Sequence, residues 1–233
     1  MRLSAHREGT PWATPGRRAA RGQAGCDVTL SASGLRRGYV AAQPLAFGVF
    51  VYGVTFGLLA RNAGLSIVEA LLMSATVYSG SAQTATVSGI AADSRIGASV
   101  VTMLMLNARY LLYGAALRPW LGAASIPQAY SSLYLLGDSN WVPSMKARAQ
   151  GESDSAFVFG SGIAMFLPWL GGTLHGSIAN EWVADPKVLG LDLTIRLELL
   201  PLFLAVTLAA FACRAGGFWL MRFVVVTPRV QAR

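Results

Sequence analysis

Charge is what this sequence has least of. Asp, Glu, Lys and Arg make up 13% of its 233 residues, against roughly 25% in an ordinary soluble domain. Histidine and cysteine are also scarce, at two each. Cys26 lies in a polar stretch and Cys213 in an apolar one, so no disulfide joins them in this reading, and neither has metal-ligand spacing. Catalytic signatures are missing as well. There is no His-Glu-x-x-His helix, no Gly-x-Ser-x-Gly elbow and no Cys nucleophile with a plausible base. A phosphate-cradling Gly-Lys-[Ser/Thr] loop is absent too. These absences argue against an enzyme, against a cofactor, and against ATP-driven transport by this chain alone.

What fills the sequence is apolar: 54% of the residues are hydrophobic and the mean hydropathy is +0.48. A bilayer crossing takes about 20 apolar residues. The expected fold is therefore an all-α polytopic membrane protein with about six transmembrane helices, some discontinuous. The net charge of +8 sits at the two ends. Arg2, Arg7, Arg17, Arg18, Arg21, Arg36 and Arg37 crowd one end, and Arg214, Arg222, Arg229 and Arg233 the other. On an apolar chain that is the positive-inside pattern rather than a nucleic-acid surface. It predicts a multi-pass protein of the bacterial plasma (inner) membrane with a cytoplasmic N-terminus, its surroundings the lipid bilayer and no nucleic acid among its partners.

Residues 1–37 are polar, basic and rich in Gly and Pro, and read as a disordered cytoplasmic tail. No apolar run follows the arginines before Gly38, which excludes a conventional signal peptide. Spans are expected over about 39–60, 67–91, 96–117, 155–178 and 197–226, with a discontinuous one over 121–145. Gly53-x-x-x-Gly57 and Gly172-x-x-x-Gly176 are small-xxx-small faces that allow close helix approach. Ser66-Ile-Val-Glu69 has the form of a capping box, which competes with reading Glu69 as a coupling carboxylate. His175, toward one end of its span, is either a hydrogen-bonded structural group or a proton relay.

Two polar belts interrupt the apolar spans. Tyr78-Ser79-Gly80-Ser81-Ala82-Gln83 falls near the middle of the second, where Gly80 permits a break. Broken helices expose N–H and C=O groups able to bind a substrate. The alternative is a straight helix whose hydroxyls bond their own backbone, which serves Ser and Thr but leaves the Gln83 amide in need of partners. Asn107 and Arg109 lie near the middle of the third span. An arginine there costs about 2.5–3.5 kcal/mol even on the lenient insertion scale. It needs a counter-ion, and Asp138 is the only acid between Asp93 and Glu152. Arg109 is then either half of a structural ion pair or a guanidinium facing a substrate carboxylate. Asp138 is also a candidate proton carrier.

Leu45–Ser66 (LAFGVFVYGVTFGLLARNAGLS), Val77–Gln83 (VYSGSAQ) and Asn107–Gly114 (NARYLLYG) resemble the AzlC family, the large subunits of branched-chain amino-acid permeases or exporters. The pattern Tyr-x-Gly-x-x-Gln followed by Asn-x-Arg-x-x-x-Tyr-Gly carries the resemblance, which extends over about residues 36–192. It implies a transporter domain over 38–192, working with a small AzlD-type membrane partner. It also implies export of branched-chain amino acids or analogues such as methionine. The implied substrate-binding positions are Tyr78, Gly80, Gln83, Asn107 and Arg109, with Asp138 and Arg109 as the coupling pair. Ser139 stands where many members of that family carry a Glu after the Asp. Beyond 193, Thr207–Arg229 (TLAAFACRAGGFWLMRFVVVTPR) resembles the opening of the small AzlD-type partner, in which an Arg interrupts the first span. Residues 193–233 are therefore read as a final span and basic tail, joined by fusion or truncation. A channel-like or non-transporting truncated membrane subunit is the rival function.

Overall fold

The computed structural model describes residues 31–92, 94–122, 124–184 and 197–220. The basic tail with Cys26, Asp93, most of the acidic loop before Arg196, and the segment after Leu220 lie outside the described residues.

The described chain is all helix: α1 (Ala32–Asn62), α2 (Ile67–Val77), α3 (Gly80–Ala91), α4 (Ile96–Asn107), α5 (Arg109–Leu121), α6 (Ile126–Tyr134), α7 (Asp138–Ala149), α8 (Ala156–Ala184) and α9 (Leu200–Leu220), the last preceded by a 3-10 turn at Leu197–Leu199. Among the described residues, three helices are long and apolar enough to cross a membrane unbroken: α1, α8, and α9 with its preceding turn. The bent pair α4–α5 is long and apolar enough to make a fourth if it is a single span. The stretches expected to give the remaining two of about six spans are instead pairs of short helices, α2–α3 and α6–α7.

The continuous part is built on α1 and α8. Ser31 caps α1, its hydroxyl accepting from the Gly34 N–H at 2.9 Å, so the helix begins earlier than the span predicted from Tyr39. The two small-xxx-small faces meet each other. A Cβ on Gly53 would lie 2.6 Å from the Trp169 carbonyl oxygen, and one on Gly57 or Gly172 would meet the backbone of the opposite helix still closer. In lipid, where apolar burial hardly drives helix association, such backbone proximity supplies the van der Waals contact that does.

Breaks occur where backbone or sequence disfavours helix. Tyr78 ends α2 in the left-handed region, at φ 42° and ψ 52°, a conformation that disfavours a large side chain. The third span, expected as one helix, is bent by 40° at Ala108. There the bonding tightens, with Ala108 N–H donating to Met105 O at 3.3 Å and Leu111 N–H to Ala108 O at 3.0 Å. The α6–α7 break is laced by Asn140, whose Oδ1 accepts from Gly137 N–H at 2.7 Å while its Nδ2 donates to Leu135 O at 3.1 Å. The Ser66–Glu69 capping box is present at the start of α2. Glu69 is fully buried rather than lying at an exposed membrane edge.

Candidate functional site

The breaks converge. The first residues of α3 (Gly80, Ser81), α5 (Arg109, Tyr110) and α7 (Asp138, Ser139) line one cavity with Gly137, Tyr78, Val49, Tyr52 and Trp169. It holds about 160 Å³ and is partly open, so it is smaller than the roughly 300–1,000 Å³ of drug-sized sites and has room only for a small molecule. Three half-helices thus present their N-terminal ends to it. A helix N-terminus carries partial positive charge, the arrangement that favours an anion.

Arg109 and Asp138 face each other across this cavity. Arg109 Nη2 lies 2.8 Å from Asp138 Oδ2, with the side chains 36% and 48% exposed. The same nitrogen donates to Ser81 Oγ at 2.8 Å. The pair is therefore wet and opened at modest cost, because attraction between two charges in contact with water is weak. Part of the lining is apolar and aromatic. The Tyr52 and Trp169 ring centroids are 5.5 Å apart, and Phe56 stacks behind Trp169 at 5.8 Å. Gly80 makes room for these rings, since a Cβ there would run into the Tyr52 ring. A cavity lined by a cation, an anion and aromatic surface suits a small zwitterion with an apolar tail.

Of the remaining predicted positions, Tyr78 also lines the cavity, whereas Asn107 and Gln83 lie outside its lining. Asn107 is fully buried behind the cavity, its Oδ1 accepting from Ser79 Oγ at 2.7 Å and its Nδ2 directed at Met103 Sδ. It ties the α2–α3 break to the α4–α5 bend. Gln83 is also fully buried, and neither its Oε1 nor its Nε2 has a partner within the protein. Tyr78 packs edge-on against Phe166 at 5.1 Å. His175 is exposed and bonds Gly171 O through Nδ1 at 2.7 Å, a local contact one turn back on its own helix. Cys213 is a free, buried thiol. Among the described residues no three His, Cys, Asp or Glu side chains gather as metal ligands do.

The group that sequence reasoning misplaced is Arg214, counted there among the basic residues of the C-terminal end as well as in the last apolar span. It is fully buried. Its Nε donates to Leu136 O at 3.0 Å, Nη1 to Val77 O at 3.1 Å, and Nη2 to Tyr78 O. Its guanidinium lies 4.6 Å from the Tyr110 ring centroid. These carbonyls are freed by the two breaks, and a buried carbonyl left unpaired costs about 1–3 kcal/mol. An arginine in an apolar span was the available signal, because such a charge must find internal partners.

Apolar helices, broken ones among them, define an α-helical membrane protein, with a charged cavity where the breaks meet. Residues 44–183, more than half of the chain, match the model of the AzlC family, described as AzlC protein. The chain belongs to the AzlC family, and that family is consistent with a membrane transporter subunit. It is similar to an uncharacterized membrane protein of Archaeoglobus fulgidus, 29% identical over 66% of this chain and 66% of the relative. An uncharacterized membrane protein of Helicobacter pylori strain 26695 is 25% identical over 59% and 60% of the two chains. The inner membrane protein YgaZ of Escherichia coli is 23% identical over 72% and 69%. The chain thus spans a little under two thirds of the first two relatives. No solved structure matches it. Helix α9, with Arg214, lies beyond the matched residues.

Proposed function

We propose that the chain is the transporting subunit of a secondary permease that exports branched-chain amino acids or their analogues, methionine included, with a small AzlD-type membrane partner. One observation carries this reading: the Arg109–Asp138 pair, 2.8 Å apart and partly exposed, stands where three half-helices begin, in a cavity also lined by Tyr52 and Trp169. A substrate carboxylate would replace Asp138 at Arg109 and the helix ends, while Asp138 would receive the ammonium. The branched tail would lie against Val49, Tyr52 and Trp169. Opening and remaking the ion pair would supply the two states that alternating access needs, with Asp138 taking a proton or the ammonium in one of them. The small partner rests on the family resemblance.

The test measures intracellular and external valine, leucine, isoleucine and methionine in cells fed branched-chain dipeptides, with this chain alone or with a small AzlD-type partner. Faster efflux that disappears in Arg109→Ala is the expected result. Efflux unchanged by the chain in either setting would favour a non-transporting subunit. Equal efflux from the wild type and Arg109→Ala would remove the cavity from the mechanism.

A further inference from the structure

Arg214 belongs to α9, yet all three carbonyls that it serves lie at the breaks beside the cavity. Val77 and Tyr78 close α2, and Leu136 follows α6. A helix C-terminus carries partial negative charge, and its last carbonyls need donors. A single planar guanidinium meets both ends at once, with the Tyr110 ring fixing its plane. On the far side of each break, α3 and α7 start at the cavity wall. The two broken pairs therefore share one polarity: carbonyl ends turned to Arg214, amide ends turned to the cavity.

We propose that Arg214 is the positioning residue that sets the polarity of the cavity. By occupying the last carbonyls of α2 and the Leu136 carbonyl just past α6, it holds the α3 and α7 amide ends at the cavity and makes that end of the site select an anionic group such as a carboxylate. Arg214 touches no substrate in this scheme. It acts through the two breaks, and it joins α9 to a site otherwise built from α1 to α8. The role in substrate binding rests on the transporter reading above, whereas the effect on the cavity's polarity does not.

The experiment uses the full chain in proteoliposomes, with Cys26 and Cys213 replaced by Ala and a single probe introduced by Ser139→Cys in the cavity wall. The rates of labelling by an anionic and by a cationic methanethiosulfonate are compared. Arg214→Lys keeps the charge but cannot reach three carbonyls on two helices in one plane. It is expected to lower the anionic-to-cationic ratio by about fivefold, the size of effect that two reoriented helix ends support. L-Valine flux in the same vesicles should show a raised KM with a smaller change in kcat. An unchanged labelling ratio in folded Arg214→Lys overturns the proposal. A changed ratio with no valine flux even in the parent protein supports the polarity claim and counts instead against the transporter reading. If Arg214→Lys does not fold, Arg214→Gln is used with the same criteria. Failure of both to fold, while Arg118→Gln folds, shows that Arg214 holds the bundle together and does no more, which also overturns the proposal.

Discussion

The α1–α8 pair and the broken pairs α2–α3 and α6–α7 solve the same problem in opposite ways. In α1 and α8 the helix runs on unbroken even through Pro44 and Pro168, and glycines bring the two backbones together: Gly53 and Gly57 on one, Gly172 and Gly176 on the other. In the broken pairs, carbonyl and amide groups are set free midway along apolar stretches and must be served by side chains. Arg214 takes the carbonyl ends, Asn140 laces one break, and Ser79 bonds Asn107 across another. The amide ends are left to the cavity. The contrast teaches that the unbroken pair is scaffold and lends the cavity only apolar side chains, Val49, Tyr52 and Trp169, whereas backbone groups for a ligand come from interrupting helices.

Substitutions should separate the two regions. The largest effect is expected in the scaffold: Gly172→Leu forces a side chain into the Phe50 carbonyl. Because the obstacle is backbone, the loss should reach about 3 kcal/mol or more, at the upper end for overpacking. It should appear as loss of monodisperse protein in detergent. Arg109→Ala should leave thermal stability nearly unchanged, because its pair is partly exposed. It should weaken amino-acid binding about tenfold or more, as removal of a charge-assisted hydrogen bond does. A strongly destabilised Arg109→Ala would blur the division between scaffold and site. Gly80→Ala pushes on the Tyr52 ring, which is 46% exposed and can give way. A rise of about two- to threefold in KM, with kcat retained, is expected from such modest overpacking.

The smallest effect concerns the exposed end of the scaffold. Arg37 bonds Glu152 at 2.8 and 3.1 Å, and this bond, then the Asp154 backbone N–H, holds the Glu152 carboxyl below its ordinary value of 4.5. A depressed carboxylate stabilises the fold at pH above its unfolded value and loses that contribution as pH falls through the folded one. For so exposed a pair the contribution is below about 1 kcal/mol. Glu152→Gln should therefore abolish only a slight fall in melting temperature below pH 4.5.

Legibility in the sequence followed the same division. The glycine faces of α1 and α8 were readable because spacing alone marks a close-packed helix, although nothing in one sequence says which face meets which. The interruption at Tyr78–Gly80 and the discontinuous segment ending near Met145 were signalled by clustered small and polar residues. The bend at Ala108 falls inside the second polar belt, between Asn107 and Arg109, but no Gly or Pro stands there to mark a break. Asn107 and Gln83 illustrate a different limit. Polarity in an apolar span predicts burial among partners, yet it does not distinguish a side chain that ties two breaks together from one that lines the cavity. Arg214 was hidden because its carbonyl partners lie more than 75 residues away, and main-chain acceptors have no sequence signature.

Equilibrium binding of labelled L-valine to the purified full chain, compared among the wild type, Arg109→Ala and Asp138→Asn, tests most directly the claim that the broken helices form an amino-acid site. Saturable binding by the wild type, weakened about tenfold or more in Arg109→Ala, is the predicted result, with a smaller loss in Asp138→Asn. Saturable binding of equal affinity in all three would contradict it, because a bound zwitterion would then be held away from the Arg109–Asp138 pair.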